Sequence, residues 1–345
     1  MRFALLHPGH PVRARVARCL PAIAVTVGVA FLAPVGAAAH AAGLATSPAQ
    51  NTARSTSAST TVPQWEYKTL RRPDRVQVLD GGTRPVATFT VGARTVTLRG
   101  PVRTFAEPAT TTASVVSSTW VRLLPHPFRG TVDRGWLGNA LADPSPDLLA
   151  VAAQYRTGAS TITSADGRLL SSDASYGPLL ESGSRAEGAD FNDYLGLTWS
   201  YGERTDVHEI DQHGALDCSG FIRMVLGYRL GLPLTLEPDG AALPRRSFEQ
   251  LHSAPGIVTV PDTGTRPDSI EALAPGDLVF FDGSSDDGAR IDHVGIYIGK
   301  DTAGALRFIS SRKTVDGPTL GDVGGRSVLS GTGYYAAAWR AARRV

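Results

Sequence analysis

Asp217-Cys218-Ser219-Gly220-Phe221-Ile222-Arg223-Met224-Val225-Leu226 is the stretch whose reading decides the fold. Phe221, Ile222, Val225 and Leu226 follow Cys218 at helical steps and put one apolar face on a helix. The cysteine then stands on the first turn, where unpaired backbone N–H groups and the helix dipole favour a thiolate. Ser219-Gly220 keeps that turn small enough to pack closely. Further on, Pro275-Gly276-Asp277 opens the strand Leu278–Phe281, and Leu306–Ser311 reads as another strand. Between them, Val294, Ile296 and Ile298 alternate with His293, Gly295 and Tyr297. A helix carrying a cysteine, followed by an antiparallel sheet carrying a histidine, predicts an α+β arrangement.

The rest of the chain tells what surrounds that cysteine. With 345 residues, 42% hydrophobic and 19% charged, the chain is long enough for two domains and a sizeable core. Arg13, Arg15 and Arg18 precede an apolar run from Leu20 to Val35, and Ala39-His40-Ala41 has the form of a cleavage site. Residues 1–41 are therefore read as a secretory signal peptide, which places the mature protein outside the cell or on the wall. Pro21 and Pro34 interrupt the run, which is short for a membrane span. The segment holds four arginines and no acids, so removing it takes the net charge from +2 to −2. That gives no electrostatic ground for nucleic-acid binding. Of the two cysteines, Cys19 leaves with the signal. Cys218 remains as a lone thiol in an oxidising compartment, which points to a reactive group or to intermolecular pairing, with a buried structural cysteine as the plainer alternative.

Residues 42–63 are rich in Ser, Thr and Ala and read as a linker. From 64 to 188 the pattern is β-rich: Val76 and Val78, then Ala87, Phe89 and Val91, then Val96 and Leu98 alternate at period two between glycine turns. Trp120–Leu124 reads as one more strand. Ser145-Pro146 reads as the N-cap and first position of a helix bearing Leu148, Leu149, Val151, Ala152 and Tyr155. Residues 158–188 read as a connector. Residues 189–345 form the part that carries the cysteine, with a short helix over 190–197 and another starting at Ser247, capped against Gln250.

A cysteine nucleophile needs a base, and the base needs an orienting partner. His293 is the base candidate. Pairing Ile298 with Ala305 places Ser310 opposite His293, where its oxygen can accept the Nδ1–H and leave Nε2 toward Cys218. A one-residue slip removes that contact.

Asp217–Phe221, Pro275–Phe281 and Asp292–Gly299 together resemble the three blocks of the NlpC family of bacterial cell-wall cysteine peptidases, in the family's order and at compatible spacing. The resemblance covers 189–345 and not the β-rich module. It implies a papain-like α+β fold, with N-terminal helices holding the cysteine and an antiparallel sheet holding the histidine. The implied activity is hydrolysis of amide bonds in peptidoglycan stem peptides, typically between γ-D-glutamate and a diamino acid. Carried over by position, Cys218 is the nucleophile, His293 the base, and Ser310 the third polar residue, where the family often has histidine. Trp199-Ser200-Tyr201-Gly202 stands where the family has Tyr-x-Trp-Gly, so Trp199 is a candidate for substrate binding or simply a core residue. Asp217 and Ser219 match positions that contact the stem peptide's amine, and equally suit a helix cap. Neither cofactor nor metal is implied, and oligomeric state is left open. The alternatives are an amidase or acyltransferase on the same fold, or a wall-binding protein with little or no catalysis.

Three other features have plainer readings. His208–His213 lacks a zinc spacing, and Asp282, Asp286 and Asp287 lack a calcium-loop pattern. Arg312-Lys313 is expected to be an exposed pair, and Arg340–Arg344 a solvated end.

Overall fold

Among the described residues, antiparallel strands come first. The structure, a computed structural model, describes residues 64–284 and 288–345. The expected signal peptide, the linker, and Asp286 and Asp287 lie outside the described residues. Strands β1 (Trp65–Leu70), β2 (Arg75–Asp80), β3 (Arg84–Thr90), β4 (Thr95–Ala106) and β5 (Ser114–Leu123) form a meander in chain order. The predicted alternation places Val78, Ala87, Phe89, Val96 and Leu98 in its core, closed by Leu137 of helix α1 (Arg134–Ala142). Val91 is exposed, because the alternation stops at the Gly92 turn.

Helix α2 (Leu148–Ala153) is capped by Asp147 rather than by Ser145. The Asp147 carboxylate accepts the Ala150 N–H at 3.0 Å, the Val121 N–H at 2.6 Å and both arms of Arg103 at 2.6 Å. A buried carboxylate wins the cap over an exposed serine because it joins β4, β5 and α2 through charge-assisted bonds. Two small hairpins follow, β6 (Ile162–Thr163) with β7 (Leu169–Ser171), and β8 (Trp199–Tyr201) with β9 (Arg204–Asp206). Between the two hairpins lies α3 (Phe191–Leu195), capped by Asp190 and ended by Gly196 in the left-handed region.

Helix α4 (Cys218–Ile222) starts where the sequence places it and runs on as a π-helix over Arg223–Arg229. Helix α5 (Ser247–Ser253) starts at Ser247 as expected, but its N-cap is Arg246, and Glu249 rather than Gln250 completes the cap by accepting the Arg246 N–H at 3.0 Å. Ser247 and Gln250 instead reach across to neighbouring backbone. Ser247 donates to the Ile291 carbonyl and Gln250 to those of Ser219 and Pro244.

The second sheet contains β10 (Ile257–Val260), β11 (Leu278–Phe281), β12 (His293–Lys300), β13 (Leu306–Arg312) and β14 (Gly317–Thr319). After helix α6 (Tyr334–Ala338) comes β15 (Trp339–Arg344). The order is β10-β15-β11-β12-β13-β14, antiparallel throughout. Its period-two pattern feeds two cores. Leu278, Phe280, Val294, Ile296 and Ile309 face α4 and the π-helix, while Val279, Phe281, Tyr297, Phe308 and Trp339 face α6. Each large side chain buried this way contributes about 1.5–3 kcal/mol, so the register of β12 is held from both faces. The fold is α+β, as the sequence predicts, and no helix among the described residues is long and apolar enough to cross a membrane.

Arg340–Arg344 is not a solvated end but part of β15, paired with β10 and β11. Arg344 is buried and forked onto Asp277, with both contacts at 2.7 Å. Arg343 donates to the carbonyls of Leu251, Ala254 and Pro255 at the end of α5. A buried cation is tolerated only when paired and hydrogen-bonded, and both conditions are met.

Candidate active site

Cys218 is the first residue of α4, and the helix fixes its backbone through Asp217. The Asp217 carboxylate accepts the Gly220 N–H at 2.7 Å, the Gly188 N–H at 3.1 Å and the Ser219 hydroxyl at 3.2 Å. Arg245 then closes the cluster, donating to both Asp217 oxygens (3.2 and 2.7 Å), to the Ser219 hydroxyl at 2.7 Å and to the Gly188 carbonyl at 2.7 Å. Burial opposes ionisation of Asp217, but Arg245 and the N–H donors outweigh it and hold the carboxyl below the usual range. Gly220 has to be glycine, since an added Cβ would lie 2.2 Å from the Ala189 carbonyl oxygen. Asp217 and Ser219 are thus bound into the helix cap and already carry a cation.

The sulfur packs against the start of β12. Its thiol donates to the Asp292 carbonyl at 3.8 Å, and the Val294 backbone N–H points at it. Cys218 is 7% exposed, and burial, reinforced by the Asp217 charge, pushes its thiol up to about 12. The helix start alone favours a thiolate; here enclosure and a neighbouring carboxylate reverse that preference.

His293 opens β12, with its ring against Phe281 (centroids 5.6 Å apart) and Tyr335 (5.4 Å). Its Nε2 meets the Ser310 hydroxyl at 3.0 Å. The hairpin register differs from the expected one. Ile296 pairs with Ile309 and Tyr297 with Phe308, with a bulge before Gly299 and Arg307. Continued, this register sets Arg312 opposite His293 and Ser310 opposite Gly295. The shift is even, so Ser310 stays on the histidine's face and reaches it diagonally. The engaged nitrogen is Nε2 rather than the expected Nδ1. Among the described residues Cys218 makes no hydrogen bond to the imidazole.

Arg312, like Arg343 and Arg344, was expected on the surface. It is buried, and its Nε donates to the Ser310 hydroxyl at 3.0 Å. Its other nitrogens donate to the Gly325 carbonyl and the Ser327 hydroxyl at 2.6 Å each, and the guanidinium lies 4.2 Å from the Tyr335 ring centroid. Burial brings Arg312 down to about 10, so it is a cation at neutral pH. Burial first, and the Arg312 charge second, hold His293 down at about 3. The resting pair is therefore neutral thiol and neutral imidazole.

Cys218, His293 and Arg312 border one cavity of about 690 Å³. Tyr176 and Glu187 form another part of its wall, and Tyr334 and Tyr335 a third. Tyr176 was missed because it lies in the polar connector, where neither periodicity nor a motif marks it. It is placed from afar: its N–H donates to Asp316 at 3.0 Å, and Ser175 bridges Ala215 next to the cysteine's segment. Glu187 pairs with Lys313 at 2.6 Å. Trp199 stands away from the cavity lining and packs against Phe191 and Tyr228, at 5.0 and 6.0 Å between centroids. Tyr201 of the same block accepts a hydrogen bond from Arg223, which also forks onto Asp190 in the interior.

With this geometry in view, the sequence comparison is specific: residues 196–314 match the NlpC/P60 family model. The C-terminal region is NlpC-type. Members of the NlpC/P60 family are in general cell-wall peptidases. The matched NlpC/P60 range holds Cys218, His293, Ser310 and Arg312, whereas Tyr176, Glu187 and the α6 tyrosines of the cavity wall lie outside it. No curated protein matches the chain. A solved structure from Staphylococcus aureus subsp. aureus Mu50, described as similar to a lipoprotein of the NLP/P60 family, is 18% identical with a TM-score of 0.28. The match covers 65% of this chain and 50% of that one, so the chain spans half that protein's length.

Proposed function

We propose that this protein is an exported, papain-like cysteine endopeptidase that hydrolyses amide bonds of peptidoglycan stem peptides, at the bond between γ-D-glutamate and a diamino acid. The observation that carries the proposal is that Cys218 at a helix start and His293 border one cavity, with Ser310 buried behind His293, all inside the family-matched segment. In this mechanism the resting pair is neutral, and substrate drives the sulfur from the Asp292 carbonyl toward His293. Nδ1 of His293 takes the thiol proton as sulfur attacks the scissile carbonyl carbon. The Cys218 N–H at the helix start holds the developing oxyanion. The imidazolium gives its proton to the departing amine, and then takes one from the water that hydrolyses the thioester. Nε2–H donates to the Ser310 oxygen, whose other acceptor position is used by Arg312. Asp217, Ser219 and Arg245 act as the fixed frame of α4, and Asp217 and Ser219 also border the cavity beside Cys218, where a stem-peptide amine can meet them.

A second reading, a wall-binding protein with little catalysis, draws on the protonated, enclosed thiol and on a neutral serine backing the histidine. An amidase or acyltransferase would use the same pair of residues. Incubation of wild-type protein and Cys218→Ala with muropeptides, read by mass, separates these. The proposal expects stem-peptide fragments from the wild type and none from Cys218→Ala. Binding without cleavage by the wild type would sink it, and the fragment masses identify the bond.

A further inference from the structure

The cavity holds a charge that its own walls do not answer. Asp217 is neutralised by Arg245, and Glu187 by Lys313. Asp292 accepts the backbone N–H groups of Gly283 and Ser284. Arg312 is spent on Ser310, Ser327 and the Gly325 carbonyl. Arg246 differs. It lines the cavity, is exposed, and no ion pair among the described residues involves its guanidinium.

Its placement follows from the backbone. Arg246 is the N-cap of α5 with extended φ and ψ of −94° and 149°. Successive side chains along extended backbone point to opposite sides. Arg245 therefore turns inward to Asp217, and Arg246 turns outward into the cavity. Gln250, one turn later, anchors α5 on the Ser219 carbonyl, so the whole segment is fixed against the cysteine's helix. Next to Arg246, Phe248 carries the Arg290 guanidinium at 5.1 Å from its ring centroid, so this wall is cationic and partly apolar.

We infer that Arg246 is a specificity residue that receives a free carboxylate of the substrate beside the scissile bond. The inference rests on the peptidase reading above and names which substrates that site prefers. If the scissile amide uses the γ-carbonyl of glutamate, the α-carboxyl of that residue is not consumed by the chain. It stands two methylenes and the α-carbon from the reacting carbonyl, as a carboxylate or, in amidated wall, as a neutral carboxamide. A guanidinium offers paired N–H donors that fit a carboxylate, and a carboxamide returns only one acceptor and no charge. Arg246 thus selects non-amidated stem peptides.

The test uses two synthetic peptides that differ only in carboxylate against carboxamide at that position. Wild-type protein is expected to prefer the carboxylate by about tenfold in kcat/KM, mostly through KM, as for one charged hydrogen bond at a half-open site. Arg246→Gln is expected to lose that preference, and Arg246→Lys to keep part of it. Equal losses on both peptides, or an unchanged preference in Arg246→Gln, would overturn the inference. The same comparison by binding to Cys218→Ala, with and without Arg246→Gln, reads the preference in Kd. If wild type cleaves neither peptide the peptidase reading fails, and the Kd ratio still decides for or against Arg246.

Discussion

Replacing Arg312 by glutamine tests how the histidine is tuned. Hydrogen bonds of 3.0 Å join Arg312 to Ser310 and His293 to Ser310, and keep the Arg312 Nε within about 6 Å of the imidazole Nε2. At an effective dielectric of about 20, a unit charge at that distance is worth about 3 kcal/mol, or about two pK units. The cation lowers His293, so removing it raises the histidine. The base must be neutral to accept the thiol proton, so the acid limb of kcat/KM moves to higher pH by up to about two units. Stability gives a second reading. A histidine held at about 3 when folded and near 6.5 when unfolded contributes stability that is fully present above 6.5 and drains as pH falls toward 3. In Arg312→Gln this drain is shortened, because the folded value lies nearer the unfolded one. Loss of the bonds to Gly325 and Ser327 costs about 1–3 kcal/mol at every pH, so slopes rather than absolute stabilities are compared. The assay is kcat/KM on a stem peptide across acidic to neutral pH, alongside denaturant titrations at the same values. An acid limb that stays put or moves down would refute the reasoning.

The remaining predictions concern the thiol and the hairpin. Because burial raises Cys218 to about 12, iodoacetamide is expected to alkylate the folded protein far more slowly than a free cysteine near neutral pH. For the same reason the thiol's contribution to stability is complete below 9 and is lost as pH rises through 12. Alkylation at the rate of a free thiol at pH 7.5 would show the sulfur to be ionised or open. Gly295→Ala is expected to separate β12 from β13, because the new Cβ would lie 2.8 Å from the Ile309 carbonyl oxygen and 3.0 Å from the Ser310 Cβ. Small-to-large strain of this kind costs about 1–3 kcal/mol. It should lower Tm and reduce kcat more than KM, since Ser310 moves off His293. A variant with wild-type kcat would break the link between register and catalysis.

What could be read from the chain in advance depended on whether a residue's partner was local. Phe221 to Leu226 declare a helix by their own spacing, and Val294 to Ile298 a strand, so Cys218 and His293 were placed by periods of 3.6 and 2. Ser310 was found through a register displaced by two residues. The period of a strand forgives an even error, which preserved the face while misassigning the pair. Which ring nitrogen it meets depends on the true, diagonal approach, and no spacing encodes that. Tyr176 and Glu187 carry no periodic mark because they are brought to the cavity by Asp316 and Lys313, far along the chain.

The arginines show the limit most sharply. Arg245, Arg312, Arg343 and Arg344 are enclosed, yet the last three sit in runs that sequence alone assigns to a solvated face. Their burial is decided by distant acceptors: Asp217, Ser310, the end of α5 and Asp277. An isolated buried charge costs several kcal/mol and a paired one is tolerated, so the partner determines where the side chain goes. Arg245 and Arg246 make the case within two adjacent residues. The first has Asp217 to meet and turns in. The guanidinium of the second forms no ion pair among the described residues, lines the cavity, and is left for whatever carboxylate the substrate brings.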